Sequence, residues 1–381
     1  MLSPADRRRS LYLFHSALGV GIGIWLFAVS FTGAVSLFRS ELDTWSQPGF
    51  AGSHGAPRGS ADRAWAGVRD AAAGSVNVML RFPDAATGAW DIIASTPGRT
   101  AVRLRVDPAT GASLGSSRHE AATAFFRLHA YLLLPGKVGR YLVGVLGVTL
   151  LCTAFTGVFM HRHVWSSAAR VRVGRRLRIV AADLHRALGI WALLFHVLMG
   201  TTGAYLGLKD LLVAPALFAR FDGDVAGGRA AVTHPPLPPS GTAAPLAALE
   251  PRIAEARSAI PGLEPNAILL HNPGDAAARI TVLGTLPGHM LPEHEAEMVV
   301  FDGVSGERLA IRDGSRSARA LRVYYALAPL HFAAFGGAGV RFVYFGLGLC
   351  TALLAASGAV IFRERRSQRG LRPDSADAAA A

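Results

Sequence analysis

A chain of 381 residues that is 51% hydrophobic, only 17% charged and of positive mean hydropathy is neither disordered nor an ordinary soluble enzyme. Its formal charge of +13 does not point to nucleic acid, because the arginines flank apolar spans instead of interleaving with aromatics on a polar face. The two cysteines, Cys152 and Cys350, both fall inside apolar spans, which leaves no disulfide framework and no zinc-type spacing.

Four apolar spans are predicted, at Leu11 to Phe38, Val138 to Met160, Leu184 to Leu208 and Val340 to Phe362, each long enough to cross a bilayer. The first is too long for the core of a signal peptide and is followed by Glu41-Leu42-Asp43, not a small-residue cleavage site, so it reads as a retained helix. The chain then divides into residues 1–38 (first transmembrane helix), 39–137 (external domain with a pre-helix segment), 138–163 (second helix), 164–182 (basic loop), 183–208 (third helix), 209–339 (external domain with a Pro-rich linker), 340–362 (fourth helix) and 363–381 (tail). Arginines 7 to 9, those from Arg162 to Arg178 and those from Arg363 to Arg372 flank the spans in short segments, which places both termini and the middle loop in the cytoplasm. The two long loops, residues 39–137 and 209–339, then lie outside.

In the first long loop, Ala61 to Ala73 reads as a helix, Val76 to Phe82, Trp90 to Ala94 and Val102 to Val106 alternate as strands, and Asp107 to Gly111 forms a hairpin turn. The second loop repeats the order: a helix at Ala244 to Ala259, strands at Ala267 to His271, Ala278 to Leu283 and Met298 to Phe301, and a turn at Asp302 to Gly306. Each loop is therefore predicted to be a small α+β unit. The Pro-rich stretch from Thr233 to Pro239 reads as an extended linker.

The spans recur as well. Phe14-His15-Ser16-Ala17-Leu18-Gly19 matches Leu184-His185-Arg186-Ala187-Leu188-Gly189, and Thr32-Gly33-Ala34 matches Thr202-Gly203-Ala204, without a gap. Leu128-His129 matches Leu330-His331, Gly139-Arg140-Tyr141 matches Val340-Arg341-Phe342, and Thr156-Gly157 matches Ser357-Gly358. The pattern predicts a duplicated unit of helix, domain, helix. The Thr-Gly and Ser-Gly pairs read as packing devices that let helices approach and supply a hydroxyl across the contact.

Thirteen histidines are present, and seven lie in or at the spans. On an unbroken third helix, His185 and His196 share one face and differ by roughly 16 Å in depth. Ionisable or ligating side chains at such depths read as functional, and two imidazoles at two levels suit a pair of haems, each taking axial ligands from the helices. An inner group of His15, His161 and His185 and an outer group of His196, His129 and His331 are the candidate ligands. Two bis-histidine haems need four ligands, so at least two of the six serve another purpose. Arg140 and Arg341 at the outer level and Arg186 at the inner one suit haem propionates, and equally suit snorkelling anchors. His163 reads as interfacial, and His289 to Glu295 is a weak metal signal in a solvated loop. No dinucleotide fingerprint, P-loop, HExxH or GxSxG motif is present, so no flavin or nicotinamide site is expected and electrons must come from a membrane quinol or a redox protein.

Five stretches together resemble the PepSY-associated transmembrane family. These are Leu13-Phe14-His15 with Thr32-Gly33; Leu128-His129 with Gly139-Arg140; Gly157 to His163 leading to Asp183-Leu184-His185; Leu194-Phe195-His196 with Thr202-Gly203; and Pro329-Leu330-His331 with Arg341 to Phe345 and Ser357-Gly358. The resemblance implies four transmembrane helices and two periplasmic PepSY domains. In the family's siderophore-reductase branch it implies two b-type haems held by histidines of the spans and reduction of a ferric siderophore. A non-catalytic membrane protein whose PepSY units bind or inhibit periplasmic peptidases or other partners is the competing expectation. A transporter is disfavoured by having only four spans and no broken helix.

Overall fold

The computed structural model describes residues 3–46, 58–83, 88–97, 101–116, 120–160, 170–220, 222–224, 238–287, 297–316 and 319–370, with single positions at 49, 52 and 99. The chain forms two compact units. A helical unit comprises residues 1–37, 124–212 and 336–381; a sheet unit comprises residues 38–123 and 213–335.

In the helical unit, α1 (Pro4–Ser36) opens with the Ser3 side chain accepting from the Asp6 backbone N–H and with Pro4 in its first turn, both ordinary starting devices for a helix. Helix α4 (Glu120–Tyr131) bridges from the sheet unit, and α5 (Gly136–Met160), α6 (Leu177–Trp191), α7 (Leu193–Arg220) and α10 (Gly337–Gly370) complete the bundle. Three stretches, Ala5–Ser36, Gly136–Met160 and Gly337–Ser367, are each long and apolar enough to span a membrane. Helix α1 packs against α5 and α10, and α6 packs against α10. Helices α5 and α7 meet through small residues: a Cβ on Gly207 would lie 2.4 Å from the Cα of Gly144, and one on Gly147 would lie 2.6 Å from the backbone N of Ala204. Such closeness lets dispersion and backbone contacts hold helices together where no hydrophobic force between them exists.

The third predicted span is not one helix. The chain turns by 69° between α6 and α7, so His185 and His196 stand on different helices and do not share a face. Ala192 absorbs the turn with φ −94° and ψ 12°, its N–H donating to the Leu188 carbonyl at 3.0 Å and its carbonyl accepting from His196 N at 2.9 Å. Ala192 is buried whereas Trp191 and Leu194 face outward. No Pro lies at the bend, and an uninterrupted apolar pattern reads as a straight helix; the direction is set by which side chains find helix neighbours.

The sheet unit contains one antiparallel sheet of eight strands in the order β4-β3-β2-β1-β5-β6-β7-β8. The first long loop supplies β1 (Asn77–Arg81), β2 (Trp90–Ser95), β3 (Val102–Val106) and β4 (Ser113–Ser116). The second supplies β5 (Glu264–His271), β6 (Arg279–Thr285), β7 (Glu297–Asp302) and β8 (Arg308–Arg312). The two sets join through β1 and β5, which pair from Asn77 with His271 to Arg81 with Ala267. That pairing removes two edges rich in Val, Leu and Ile that would otherwise be open to association. The edge strands β4 and β8 are short, and no residue of either is buried.

Alternation sends Val78, Leu80, Trp90, Ile92, Leu104, Ile268, Leu270, Ile280, Val282, Val299 and Phe301 to one face, where α3 (Ala61–Ala66) and α8 (Leu249–Ala259) cover them. Each fully buried aliphatic side chain contributes about 1.5–3 kcal/mol. The two covering helices cap one another. Asp62, the second residue of α3, accepts from the Leu249 and Glu250 N–H groups at 2.6 and 3.1 Å, while Glu250, the second residue of α8, accepts from Ala61 N–H at 2.6 Å. The hairpin turns behave alike: Asp107 and Asp302 each accept from the backbone N–H groups two and three residues on.

On the opposite face, Arg103 clasps Asp91 at 2.9 Å, Asp43 and Ser40, and Arg105 donates to Thr44 at 2.9 Å, tying α2 (Arg39–Ser46) onto β2 and β3. Burial pushes the Asp43 carboxyl up against the pull of Arg103, and pushes the Arg39 guanidinium down.

Replacing Asp62 or Glu250 with Ala is expected to lower the stability of the sheet unit by about 1 kcal/mol each, the usual loss on removing a cap, read as a drop in its thermal transition in the full chain. A second prediction concerns pH. His271 shares a 2.6 Å hydrogen bond with Asn77 at the β1–β5 junction, and burial, aided by the nearby Arg279, holds its pKa below 6.5. The unfolded chain therefore binds more protons, so this contribution is complete above about pH 6.5 and is lost as pH falls through and below that value. His271→Gln should flatten the fall in transition temperature between about pH 7 and 5.

Candidate functional site in the helical unit

Four of the predicted ligand histidines have described partners within the bundle. His15 projects from α1 with Nδ1 3.1 Å from the Thr156 hydroxyl on α5. That hydroxyl donates its single proton to the Cys152 carbonyl at 2.7 Å, so toward the imidazole it accepts, Nδ1 carries the proton and Nε2 keeps the lone pair. His185 projects from α6 and donates from Nδ1 to the Leu354 carbonyl at 3.0 Å and to the Ser357 hydroxyl at 3.1 Å, both on α10. Ser357 in turn donates to Leu354 O at 2.8 Å. The tautomer is again fixed with Nε2 basic.

These two rings meet. The centroids of His15 and His185 are 6.1 Å apart with their planes at 86°. The Thr-Gly and Ser-Gly pairs are their seats: a Cβ on Gly157 would stand 3.4 Å from His15 Cε1, and one on Gly358 would stand 3.3 Å from His185 Cε1. The motif expected to pack helix against helix thus packs helix against imidazole.

His129, on α4, donates from Nδ1 to the Val29 carbonyl of α1 at 2.9 Å, which leaves its Nε2 basic as well. Its seat is tighter, since a Cβ on Gly33 would lie 2.7 Å from both Cε1 and Nδ1. His196 is the reverse case. It is 2% exposed, and its Nε2 lies 3.1 Å from the Thr351 hydroxyl, which donates to the Leu347 carbonyl at 3.0 Å. Here Nε2 carries the proton and Nδ1 the lone pair.

Of the remaining predicted residues, His331 lies on α9 (Arg319–Phe332) in the sheet unit, its ring edge-on to Phe332 at 5.4 Å. His161 and the neighbouring His163, like the His289 to Glu295 stretch, lie outside the described residues. Arg140 pairs with Asp210, which Lys137 also approaches at 3.1 Å. Arg186 pairs with the fully buried Asp183 at 2.8 Å, and Arg172 grips the same carboxylate through Nε at 2.8 Å and through its backbone N–H at 3.1 Å. Arg341 is half-buried on α10. Among the described residues no group of three or more His, Cys, Asp or Glu is placed to hold a metal ion.

The sequence reading did not single out Thr156, Ser357, Leu354 or Thr351 as partners of imidazoles, nor Asp183 as the anchor of the basic loop. A signal for the first two was present in the recurrence of a hydroxyl before glycine. The carbonyl of Leu354 leaves no mark in sequence.

The seats differ enough to be told apart. Gly33→Ala must displace the His129 ring and is expected to cost about 1–3 kcal/mol, as overpacking does. Gly157→Ala, which meets His15 at a tight contact only, is expected to lie well below that. Thermal unfolding of the two purified variants in detergent measures the difference.

The model of the PepSY-associated TM region matches residues 12–365, nearly the whole chain. A protein of Pseudomonas aeruginosa named "Uncharacterized protein PA4219" is 32% identical over 262 residues, an alignment that covers 65% of this chain. The chain spans 64% of the length of that curated relative. With the apolar helices, the match from the first span through the last makes this a membrane protein, and the chain belongs to the PepSY-associated TM region family.

Proposed function

We propose that the protein is a two-haem b-type electron-transfer protein of the bacterial inner membrane that reduces a ferric siderophore, or another ferric chelate, on the periplasmic side. The observation that carries this reading is the meeting of His15 and His185 at 6.1 Å with both Nδ1 atoms committed to helix neighbours. Two imidazoles sharing one metal at about 2 Å from each ligating nitrogen bring their ring centroids to about 6 Å. A pair, where no described trio exists, suits an iron that needs only axial ligands because a porphyrin supplies the other four. The donor set fits haem.

Bound at this pair, haem b supplies one-electron transfer and nothing else. The chain holds the two imidazoles in the tautomer that ligates, orients each ring against a glycine, and excludes water by surrounding them with apolar helices. His129 has the same tautomer and is the candidate for a second centre, with His331 as its counterpart in the repeated sequence. Arg140, Arg186 and Arg341 are candidates for propionate contacts at the two levels, Arg140 and Arg186 sharing that duty with their acids. The arginine-rich flanks orient the His15–His185 level toward the cytoplasm. An electron from a quinol or redox protein then enters on that side, and each ferric ion reduced outside takes one electron to become ferrous, which weakens its hold on hard oxygen donors. Each half of the eight-stranded sheet corresponds in this reading to one PepSY module, the halves descending from one duplicated unit.

Non-catalytic anchoring accounts for each of these helix contacts taken singly; the meeting of two of the rings at 6.1 Å is what favours haem over it. A transporter gains a broken third span, but Asp183 is two turns from the bend and locked by two arginines.

The test is a reduced-minus-oxidised spectrum with haem stoichiometry on the purified chain. About two haems per chain are expected, and His15→Ala or His185→Ala should each abolish one of them while leaving the other. A colourless protein from cells with ample haem overturns the reading.

A further inference from the structure

The segment from Arg170 to Leu177 reads Arg-Val-Arg-Val-Gly-Arg-Arg-Leu, and every one of its residues is exposed. It precedes α6 and lies between two apolar stretches, one ending at Met160 and the other, bent one starting at Leu177. Helices that cross a bilayer therefore deliver it to the edge of the hydrocarbon. We infer that this segment binds anionic phospholipid at the membrane surface on its end of the bundle, a role that does not depend on haem.

The segment is held in place by one residue. Asp183, fully buried on α6, accepts from the Arg172 backbone N–H at 3.1 Å, from its Nε at 2.8 Å and from its Nη2 at 3.0 Å, and Arg186 adds a fourth bond at 2.8 Å. A bidentate grip joined to a backbone bond fixes the path of the chain as well as the side chain. Gly174 then turns the chain at φ 85°. Because the structure is ordered before a ligand arrives, little ordering cost is left to binding.

The same grip saturates the one carboxylate within reach. No other Asp or Glu occurs between Glu120 and Asp183. Arg170, Arg175 and Arg176 have no ion pair among the described residues. Aliphatic side chains stand beside these charges, Val173 86% and Leu177 63% exposed. A soluble anion would answer the arginines and leave Val173 and Leu177 in water. A leaflet of anionic lipid offers phosphates to the first and acyl chains to the second. An acidic protein would have to displace the lipid around Leu177, the first residue of an apolar span.

The test counts lipid bound to the purified full chain by native mass spectrometry from neutral detergent, comparing phosphatidylglycerol with phosphatidylcholine of the same acyl chains. Wild type is expected to bind phosphatidylglycerol more tightly. Arg175→Gln with Arg176→Gln should weaken that binding by about 30-fold, which corresponds to about 1 kcal/mol per arginine beside a charged surface. Arg175→Lys with Arg176→Lys should stay near wild type, and Arg8→Gln with Arg9→Gln, in the other basic flank, should lose far less. Equal affinity for the two lipids in wild type means that the arginines serve topology alone, and overturns the inference. So does a Gln pair without effect, a Lys pair that falls with it, or an equal loss in the Arg8 and Arg9 pair. Displacement of the lipid by glycerol phosphate at equal concentration assigns the surface to a soluble anion and overturns it too. If the Gln pair is not recovered folded, Val173→Asp decides: a loss of about 5-fold from the added like charge supports the inference, and unchanged binding overturns it.

Discussion

An imidazole buried between apolar helices has one nitrogen to satisfy and one to offer, and in this bundle the backbone decides which. Helix carbonyls are already engaged in the ladder, yet Val29 and Leu354 each accept a further bond from a histidine Nδ1. Threonine and serine hydroxyls return their protons to carbonyls of their own helix and become acceptors with fixed direction. Without that commitment either tautomer would serve and the rings could turn. With it, the Nδ1 atoms of His15, His129 and His185 are each committed to a neighbouring helix. The glycine after each hydroxyl completes the arrangement, because a Cβ there would meet the ring at 3.3–3.4 Å.

The sheet unit solves a different problem by a related device. Each half brings four strands and one helix to the core face, and alone would leave one inner strand, β1 or β5, with an unpaired edge. Pairing β1 with β5 converts two liabilities into the middle of one sheet. The reciprocal bonds of Asp62 and Glu250 then fix the two covering helices N-terminus to N-terminus, where each carboxylate meets both orphan N–H groups and the positive end of a helix dipole.

Much of this is legible in sequence, for physical reasons that differ by element. Spans one, two and four are read from length and apolarity, which a bilayer demands directly. Six of the eight strands are read from alternation, and both hairpin turns from Asp followed by Gly. The fusion of the two sets is not legible, because nothing local in Val78 or Leu270 names its partner. The edge strand β4, Ser113–Ser116, escapes because it holds one apolar residue, Leu114, and β8 because it is a short run whose Leu309 and Ile311 stay exposed. Arg103 and Arg105 could have been found: two arginines on one face of a strand whose other face is Leu104 and Val106 need acids, and Asp43 and Asp91 supply them for Arg103. In the bundle, the histidines are read from their places along the spans, and His15 and His185 fall in one inner group with His161, which leaves the choice of pair open. Their partners are not legible, since a carbonyl acceptor belongs to the fold and not to a residue type.

The bend at Ala192 marks where the two halves of the sequence part company. Helix α1 runs unbroken from Pro4 to Ser36, while its counterpart divides into α6 and α7. At the position that pairs with His196 in the repeat, α1 carries Leu26. The histidine with the inverted tautomer, the helix with the inverted course and the buried Asp183 that binds the basic loop all belong to the second half. In the first half, Asp183 is replaced by Leu13, which is exposed. The recurrence holds at His15 and His185, whose rings meet, and fails at His196 and Asp183, whose equivalents in the first half are Leu26 and Leu13. Rings that meet constrain one another, whereas His196 bonds to Thr351 of α10 and Asp183 to Arg172 and Arg186, contacts that do not involve the His15–His185 pair.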